Sequence, residues 1–198
     1  MSRNIIVLGA GMVGVSVAWH LARRGHDVTL VDRREPGLET SFGNAGIIQR
    51  EAVRPYAFPR DIGTLLRVLP NREVDIRYRP TGMVSAAGPL LNYWLNSGGE
   101  RYARIVEEWA SLIMRCQDAH APMIEAAGAE ALVRKGGWLE LYRSRKEFDD
   151  RLQEAKENHE QFGVEYEVLD AEALYAKEPH LAKGLIGAIH WTQPWMVS

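Results

Sequence analysis

Near the start of the chain, Gly9-Ala10-Gly11-Met12-Val13-Gly14 has the spacing G-x-G-x-x-G, and an acid, Asp32, stands 18 residues beyond the last glycine. Each position has a physical task if the run lies between a strand and a helix. Gly9 permits the tight turn, Gly11 lets the backbone approach a diphosphate that any Cβ would strike, and Gly14 lets the helix sit close to the strand. Together with the backbone of Ala10, Met12 and Val13, this presents unpaired N–H groups and the positive end of a helix to the phosphates. Asp32 can accept hydrogen bonds from ribose hydroxyls, and its charge disfavours a 2′-phosphate. The chemistry implied is recognition of the ADP half of a dinucleotide without the extra phosphate of NADP. A structural turn beside a surface acid is the competing reading of the same residues.

The surrounding elements favour the first reading. Asn4 to Gly9 is a continuous apolar run closed by glycine, the pattern of a parallel strand buried on both faces. Residues 12–24 place Val13, Val17, Ala18 and Leu21 on one helical stripe, with Arg23, Arg24 and Gly25 as a stop. Asp27 to Asp32 is β-branched and apolar and reads as the second strand, with the acid at its end. The fingerprint thus sits in a βαβ unit.

FAD and NAD share the ADP half, so this unit alone does not separate them. From Arg33 to Arg50 the periodicity is lost, and the loop is longer than the roughly 12–15 residues beyond which loops are usually functional. Its run Glu39-Thr40-Ser41-Phe42-Gly43-Asn44-Ala45-Gly46-Ile47-Ile48 offers small residues for close backbone approach, and hydroxyl and amide groups suited to phosphate and flavin edges. A nicotinamide enzyme would more usually continue into another regular βα unit. The loop therefore favours FAD; an NAD-dependent reductase and an ordinary polar loop remain open on these residues.

The order of these pieces resembles the FAD-dependent D-amino-acid oxidase superfamily, particularly its D-amino-acid dehydrogenase branch. The matching residues are Ile5 to Gly14, Ala18 to His26, Val28 to Arg33, and Thr40 to Gly46; Gly137 to Tyr142 and Leu169-Asp170 through Glu178-Pro179 are similar but less specific. Family members commonly carry Glu at the position of Asp32 and Ala at that of Gly43. The resemblance implies an α/β fold, a Rossmann-like FAD-binding domain with part of a second α+β substrate domain. It also implies FAD held by Gly9 to Gly14, Asp32, Arg33, Thr40, Ser41, Asn44, Ala45, Gly46 and Ile47. The implied reaction oxidises the Cα–N bond of a (D-)amino acid or amine, with hydride passing to the flavin and the imino acid hydrolysing to an oxo acid and ammonia. Either oxygen or a quinone-linked carrier is the implied electron acceptor. The Arg and Tyr that clamp the substrate carboxylate in the family lie in its later half, so no catalytic residue is assigned.

Beyond residue 50 a proline-interrupted stretch suggests one short helix near 60–69, followed by a helix start at Pro89 to Asn96 broken by Ser97-Gly98-Gly99. A longer helix runs from about Glu100, with Tyr102, Ile105, Val106, Trp109, Leu112, Ile113 and Cys116 on one face. Trp138 to Tyr142, Val164 to Leu169 and Leu185 to Trp191 read as strands. Ser144 to Phe162 and 171–177 read as helices, the second capped by Asp170. This suggests a flavin-binding first part over 1–85 and an incomplete substrate domain with a return to the flavin domain over 86–198. No third βα unit follows Asp32, and the partner of the last strand is open. The chain is expected to be the N-terminal portion of a longer protein, with an inactive nucleotide-binding fragment as the alternative.

The rest of the composition excludes other classes. The 198 residues carry 24 Lys and Arg against 26 Asp and Glu, with short mixed clusters and no basic stripe, so no nucleic-acid partner is implied. One cysteine, Cys116, cannot form an internal disulfide or a thiolate zinc site, and the six histidines lack ligand spacing. No metal is expected. The apolar run after Arg3 is too short for a secretory signal, and no stretch reaches the roughly 20 apolar residues of a membrane span. The expected location is cytoplasmic, with peripheral contact at the membrane's cytoplasmic face left open. His190, Trp191 and Trp195 are candidates for core packing or for lining a substrate cavity.

Overall fold

The computed structural model describes residues 1–40, 42–74 and 76–198. In chain order the elements begin with strand β1 (Asn4–Leu8), helix α1 (Met12–Arg23), and strands β2 (Asp27–Val31) and β3 (Ile47–Ile48). Three helices follow, α2 (Ile62–Val68), α3 (Pro80–Asn96) and α4 (Gly99–Ile113), then α5 (Cys116–Ala127), β4 (Val133–Lys135) and β5 (Trp138–Tyr142). The remainder is α6 (Arg145–Phe162), β6 (Tyr166–Asp170), α7 (Ala171–Lys177), β7 (Gly187–Trp191) and β8 (Trp195–Val197). These elements form two compact units, one of residues 1–50 with 115–198 and the other of residues 51–114. The breaks fall at 50/51 and 114/115.

In the first unit, β1 and β2 are parallel, in register from Asn4 opposite Asp27 to Leu8 opposite Val31. Parallel neighbours need a crossover, and α1 provides it, packing on both strands. Gly25, at φ +84°, ends that helix in the left-handed conformation and donates its N–H to Ala22 O at 2.9 Å. The expectation that β1 is buried on both faces needs correction: Ile6 is 68% and Leu8 80% exposed. The reason is topological, since among the described residues β1 has β2 as its only strand neighbour and α1 covers only one face.

The core of this unit is the antiparallel sheet β5-β7-β6, with β7 in the middle and all five of its residues buried. Trp191, whose partner the sequence left open, faces Trp138 on one side and Tyr166 on the other and is fully buried. Ile189, Val164, Ala155, Phe148 and Leu174 complete that core. Ser144 and Glu147 have the spacing of a capping box, the Ser144 hydroxyl accepting from the Glu147 N–H at 3.4 Å, and Gly163 at φ +68° stops α6. Asp170 caps α7 by accepting from the Ala173 N–H at 2.8 Å. A third small sheet, β3-β8-β4, is wholly antiparallel.

In the second unit, the segment 52–58, outside any helix or strand, has prolines at Pro55 and, just beyond it, Pro59. Its backbone acceptors are met by side chains instead: Tyr102 OH donates to Pro55 O at 2.6 Å, Tyr93 OH to Tyr56 O at 2.6 Å, and Trp109 Nε1 to Ala52 O at 2.8 Å. The aromatic stripe foreseen on α4 therefore works through its polar tips, while Val106 and Ala110 are the buried residues of that helix. Asp61 caps α2 through the Thr64 N–H at 2.6 Å. Two sequence expectations differ here and just after. α3 runs through Pro89 rather than starting there, and the helix drawn through Cys116 ends at Ile113, α5 being separate. An interior proline removes one donor and carries a cost of about 3 kcal/mol, which longer helices can absorb; local propensity alone would have broken them. No described helix is long and apolar enough to cross a membrane.

Candidate cofactor site

The turn between β1 and α1 is built from the inside outward. Gly9 donates its N–H to Val31 O at 2.7 Å, which extends the ladder by one bond, and then turns at φ +99°. A Cβ there would meet nothing within 4 Å, so glycine is required by conformation and not by space. Gly14 is the reverse case: a Cβ would overlap the carbonyl oxygen of Gly9, so only glycine lets α1 approach the end of β1 this closely. Between them Ala10 is 2% exposed, with both backbone groups engaged. Its N–H donates to Asp32 Oδ2 at 2.5 Å, and its carbonyl accepts from the Gly37 N–H at 3.0 Å. Gly11 is the residue preceding the helix, in extended conformation at φ −81° and ψ −174°, and its side carries no capping side chain. The first intrahelical bond runs from Val15 N–H to Gly11 O at 3.0 Å, so Met12, Val13 and Gly14 occupy the open first turn.

Asp32 closes β2. Besides Ala10, its Oδ1 accepts from the Arg34 N–H at 2.9 Å, and these two backbone donors, Ala10 first, hold its carboxyl below the usual carboxylate range. The two carboxylate oxygens have about four acceptor positions between them, more than the backbone donors use, so the group can take a further donor. Next to it, Arg33 binds Glu39 in a fork, Nε to Oε1 at 3.1 Å and a terminal nitrogen to Oε2 at 2.9 Å, and Arg34 Nε reaches Glu39 Oε1 at 3.0 Å. The bond to Glu39 strengthens the hold of Arg33 on its proton.

These groups border one cleft of about 650 Å³ lined by Leu8, Gly9, Gly11, Val31, Asp32, Arg33, Glu39 and Thr40. The sequence-based set is thus divided by position. Gly9, Gly11, Asp32, Arg33 and Thr40 line the cleft, Met12 and Val13 lie at the helix mouth, and Ala10 and Gly14 support the turn from behind. Asn44, Ala45, Gly46 and Ile47 lie at the far end of the loop, where Asn44 Oδ1 accepts from the Gly46 N–H at 2.8 Å and Ile47 enters β3. Ser41 lies outside the described residues. Sequence reasoning assigned no role to Leu8, Val31 or Glu39. For Glu39 a signal existed, an acid six residues after the adjacent Arg33 and five after Arg34, whereas the two apolar walls follow only from pairing β1 with β2.

The other candidates serve the fold. His190 Nδ1 lies 2.9 Å from Glu167 Oε2 and its Nε2 2.8 Å from Gly136 O, which ties β7 to β6 and to the turn before β5. Trp191 Nε1 donates to Glu140 Oε2 at 2.9 Å, an oxygen it shares with Arg151 Nε at 3.1 Å. Trp195 carries the Lys135 ammonium 4.6 Å from its ring centroid.

A strand, a glycine turn, an open helix mouth and an acid at the end of the neighbouring strand make up the βαβ arrangement of a dinucleotide-binding fold. The cleft is of the size of small-molecule sites, roughly 300–1,000 Å³, and its glycines and Asp32 suit the diphosphate and ribose of FAD. The match to a known family is equally direct: residues 4–198 match the DAO family, FAD dependent oxidoreductases. This chain belongs to that family. It is 36% identical over 195 residues to a D-amino acid dehydrogenase of Methylobacterium nodulans, an alignment covering 94% of this chain and 45% of the relative. The chain thus spans less than half the length of that relative. Glycine oxidase from Geobacillus kaustophilus shares the fold with a TM-score of 0.56 at 18% identity, over 100% of this chain and 41% of that one. FAD-bound L-α-glycerophosphate oxidase from Mycoplasma pneumoniae does so with a TM-score of 0.53 at 16% identity, over 100% and 39% of the two chains.

Proposed function

We propose that this chain forms the ADP-binding part of the FAD site of an enzyme that oxidises the Cα–N bond of a D-amino acid or related amine. The observation that carries the reading is the cleft in which the glycine turn at the mouth of α1 faces Asp32. Gly11 admits the diphosphate, the amides of the first turn of α1 and the positive end of that helix receive its charge, and the spare acceptor positions of Asp32 take the ribose hydroxyls. Arg33 and Thr40 border the nucleotide, and Asn44, Ala45, Gly46 and Ile47, with Ser41, belong to the loop that leads toward the flavin. FAD, when bound, supplies the acceptor for the hydride leaving the substrate's Cα, after which water converts the imino acid to an oxo acid and ammonia. The relationship to D-amino acid dehydrogenases supports the substrate class. Residues 1–85 are proposed to contain the flavin-binding first part and 86–198 the substrate-domain segments and the return.

The proposed electron acceptor is either a quinone-linked carrier or oxygen. Peripheral contact with an anionic membrane surface is supported by the stretch around α2, where Ile62, Leu66 and Leu69 are exposed near Arg60, Arg67 and Arg72, of which Arg67 pairs with Glu73 and Arg60 stacks on Trp94. The lone Cys116 suits the reducing cytoplasm.

Reconstitution tests the reading. Purified chain mixed with FAD and desalted is expected to stay yellow, absorbing near about 450 nm, and to ignore NAD. A full-length protein containing this chain is expected to reduce a dye acceptor with D-alanine. A colourless chain that binds NAD would return the assignment to a nicotinamide-dependent reductase. FAD binding without turnover in the full-length protein would leave a nucleotide-binding module.

A further inference from the structure

We infer that β8 is a positioning element for FAD: it sets the shape of the loop segment 44–48 and thereby controls how tightly the cofactor is retained, an inference that rests on the flavin reading above. The loop is tied down at both ends. Its near end is held to the glycine turn by the Gly37 N–H to Ala10 O bond, and by Glu39 paired with Arg33 and Arg34. Its far end is held by β8. Val197 N–H donates to Gly46 O at 2.6 Å, and Ile47 and Ile48 then pair with Met196 and Trp195. Gly46 sits at φ +63°, and a Cβ on it would overlap the carbonyl oxygen of Val197. The Asn44 side chain folds back onto the Gly46 N–H, so the approach of β8 and the turn before it are coupled through one residue.

The influence runs from β8 to the loop, because β8 is fixed independently on its other edge. Val133, Arg134 and Lys135 pair with Val197, Met196 and Trp195. The ends of β8 are also pinned, by Gly137 N–H to Pro194 O at 3.1 Å and Ser198 N–H to Leu132 O at 3.0 Å. A two-residue strand such as β3 has too few ladder bonds to hold a register alone. With β8 on its rail, the chain from Asn44 to Ile48 has one conformation before any cofactor arrives, and the entropy of ordering it is already spent.

The test separates the N–H of Val197 from its side chain. Val197→Pro removes the donor to Gly46 O on the β3 edge, Val197→Ala keeps it, and Gly46→Ala opposes the same contact from the other side. FAD affinity is read by flavin fluorescence quenching, the environment of the bound flavin by visible circular dichroism, and the loop by hydrogen exchange at Ile47 and Ile48. Expected are a loss of FAD affinity of tenfold or more with faster exchange in Val197→Pro, wild-type behaviour in Val197→Ala, and a loss in Gly46→Ala. Should Val197→Pro fail to fold, Gly46→Ala against wild type decides. Faster exchange at Ile47 and Ile48 with unchanged FAD affinity and dichroism overturns the inference while leaving the flavin reading intact. A wild-type chain that takes up no FAD overturns both.

Discussion

Asp32 Oδ2 accepts a hydrogen bond from the buried N–H of Ala10 at 2.5 Å. The acid at the end of the second strand therefore organises the glycine turn as well as facing the cleft. Its charge satisfies a donor that burial would otherwise strand, and the bond fixes the distance between the turn and the end of β2.

Replacing Asp32 by Asn keeps the volume and removes the charge. Losing the charged acceptor is expected to lower FAD affinity by roughly ten- to a hundredfold, with the Ala10 amide exchanging faster. Fluorescence titration and hydrogen exchange on the same sample check both. Equal affinity in the two proteins would show that Asp32 serves only the turn.

The pH dependence has a defined sign. Backbone N–H groups, that of Ala10 first, lower the folded-state pKa of Asp32. Its contribution is then complete above the unfolded value, about 3.9, and disappears as pH falls through the lower folded value. Protection of the Ala10 amide is expected to be level from neutral pH to about pH 4 and to decline below it, while Asp32→Asn shows no such step. A decline that starts near neutrality would point to another group.

Gly14→Ala places a methyl where the Gly9 carbonyl lies. α1 must then move away from β1, an overpacking that costs about 1–3 kcal/mol. Urea denaturation of the apoprotein is expected to show that loss with the slope unchanged, and FAD binding to weaken with it. Wild-type stability in Gly14→Ala would mean that the helix and strand have more room than this geometry gives them.

The parts of this fold that could be read from sequence are those with local signals. β1, α1 and β2 follow from an apolar run, a helical stripe and a glycine stop, and the stretch Ser144 to Phe162 reads as the helix α6 before any tertiary contact is known. What escaped is non-local or context-bound. β3, β4 and β8 have two or three residues each, too short for a period, and exist because Ile47 and Lys135 meet Trp195–Val197 across the chain. α3 and α5 continue through Pro89 and Pro122, where local propensity predicts a break. At the candidate site, residue types picked out Gly9, Gly11 and Asp32, which line the cleft. The bond from Ala10 to Asp32, the clamp of Glu39 on Arg33, and the dependence of Gly46 on Val197 are matters of distance that no spacing encodes.

The most direct measurement is FAD stoichiometry and affinity in Gly11→Val beside wild type. Gly11 has an extended backbone, φ −81° and ψ −174°, that valine adopts without strain, so the variant is expected to fold with wild-type apoprotein stability. Its side chain would stand where the diphosphate meets the helix mouth. Loss of FAD binding with stability intact is the predicted result; FAD bound at wild-type stoichiometry and affinity would contradict the placement of the cofactor and the redox assignment that depends on it.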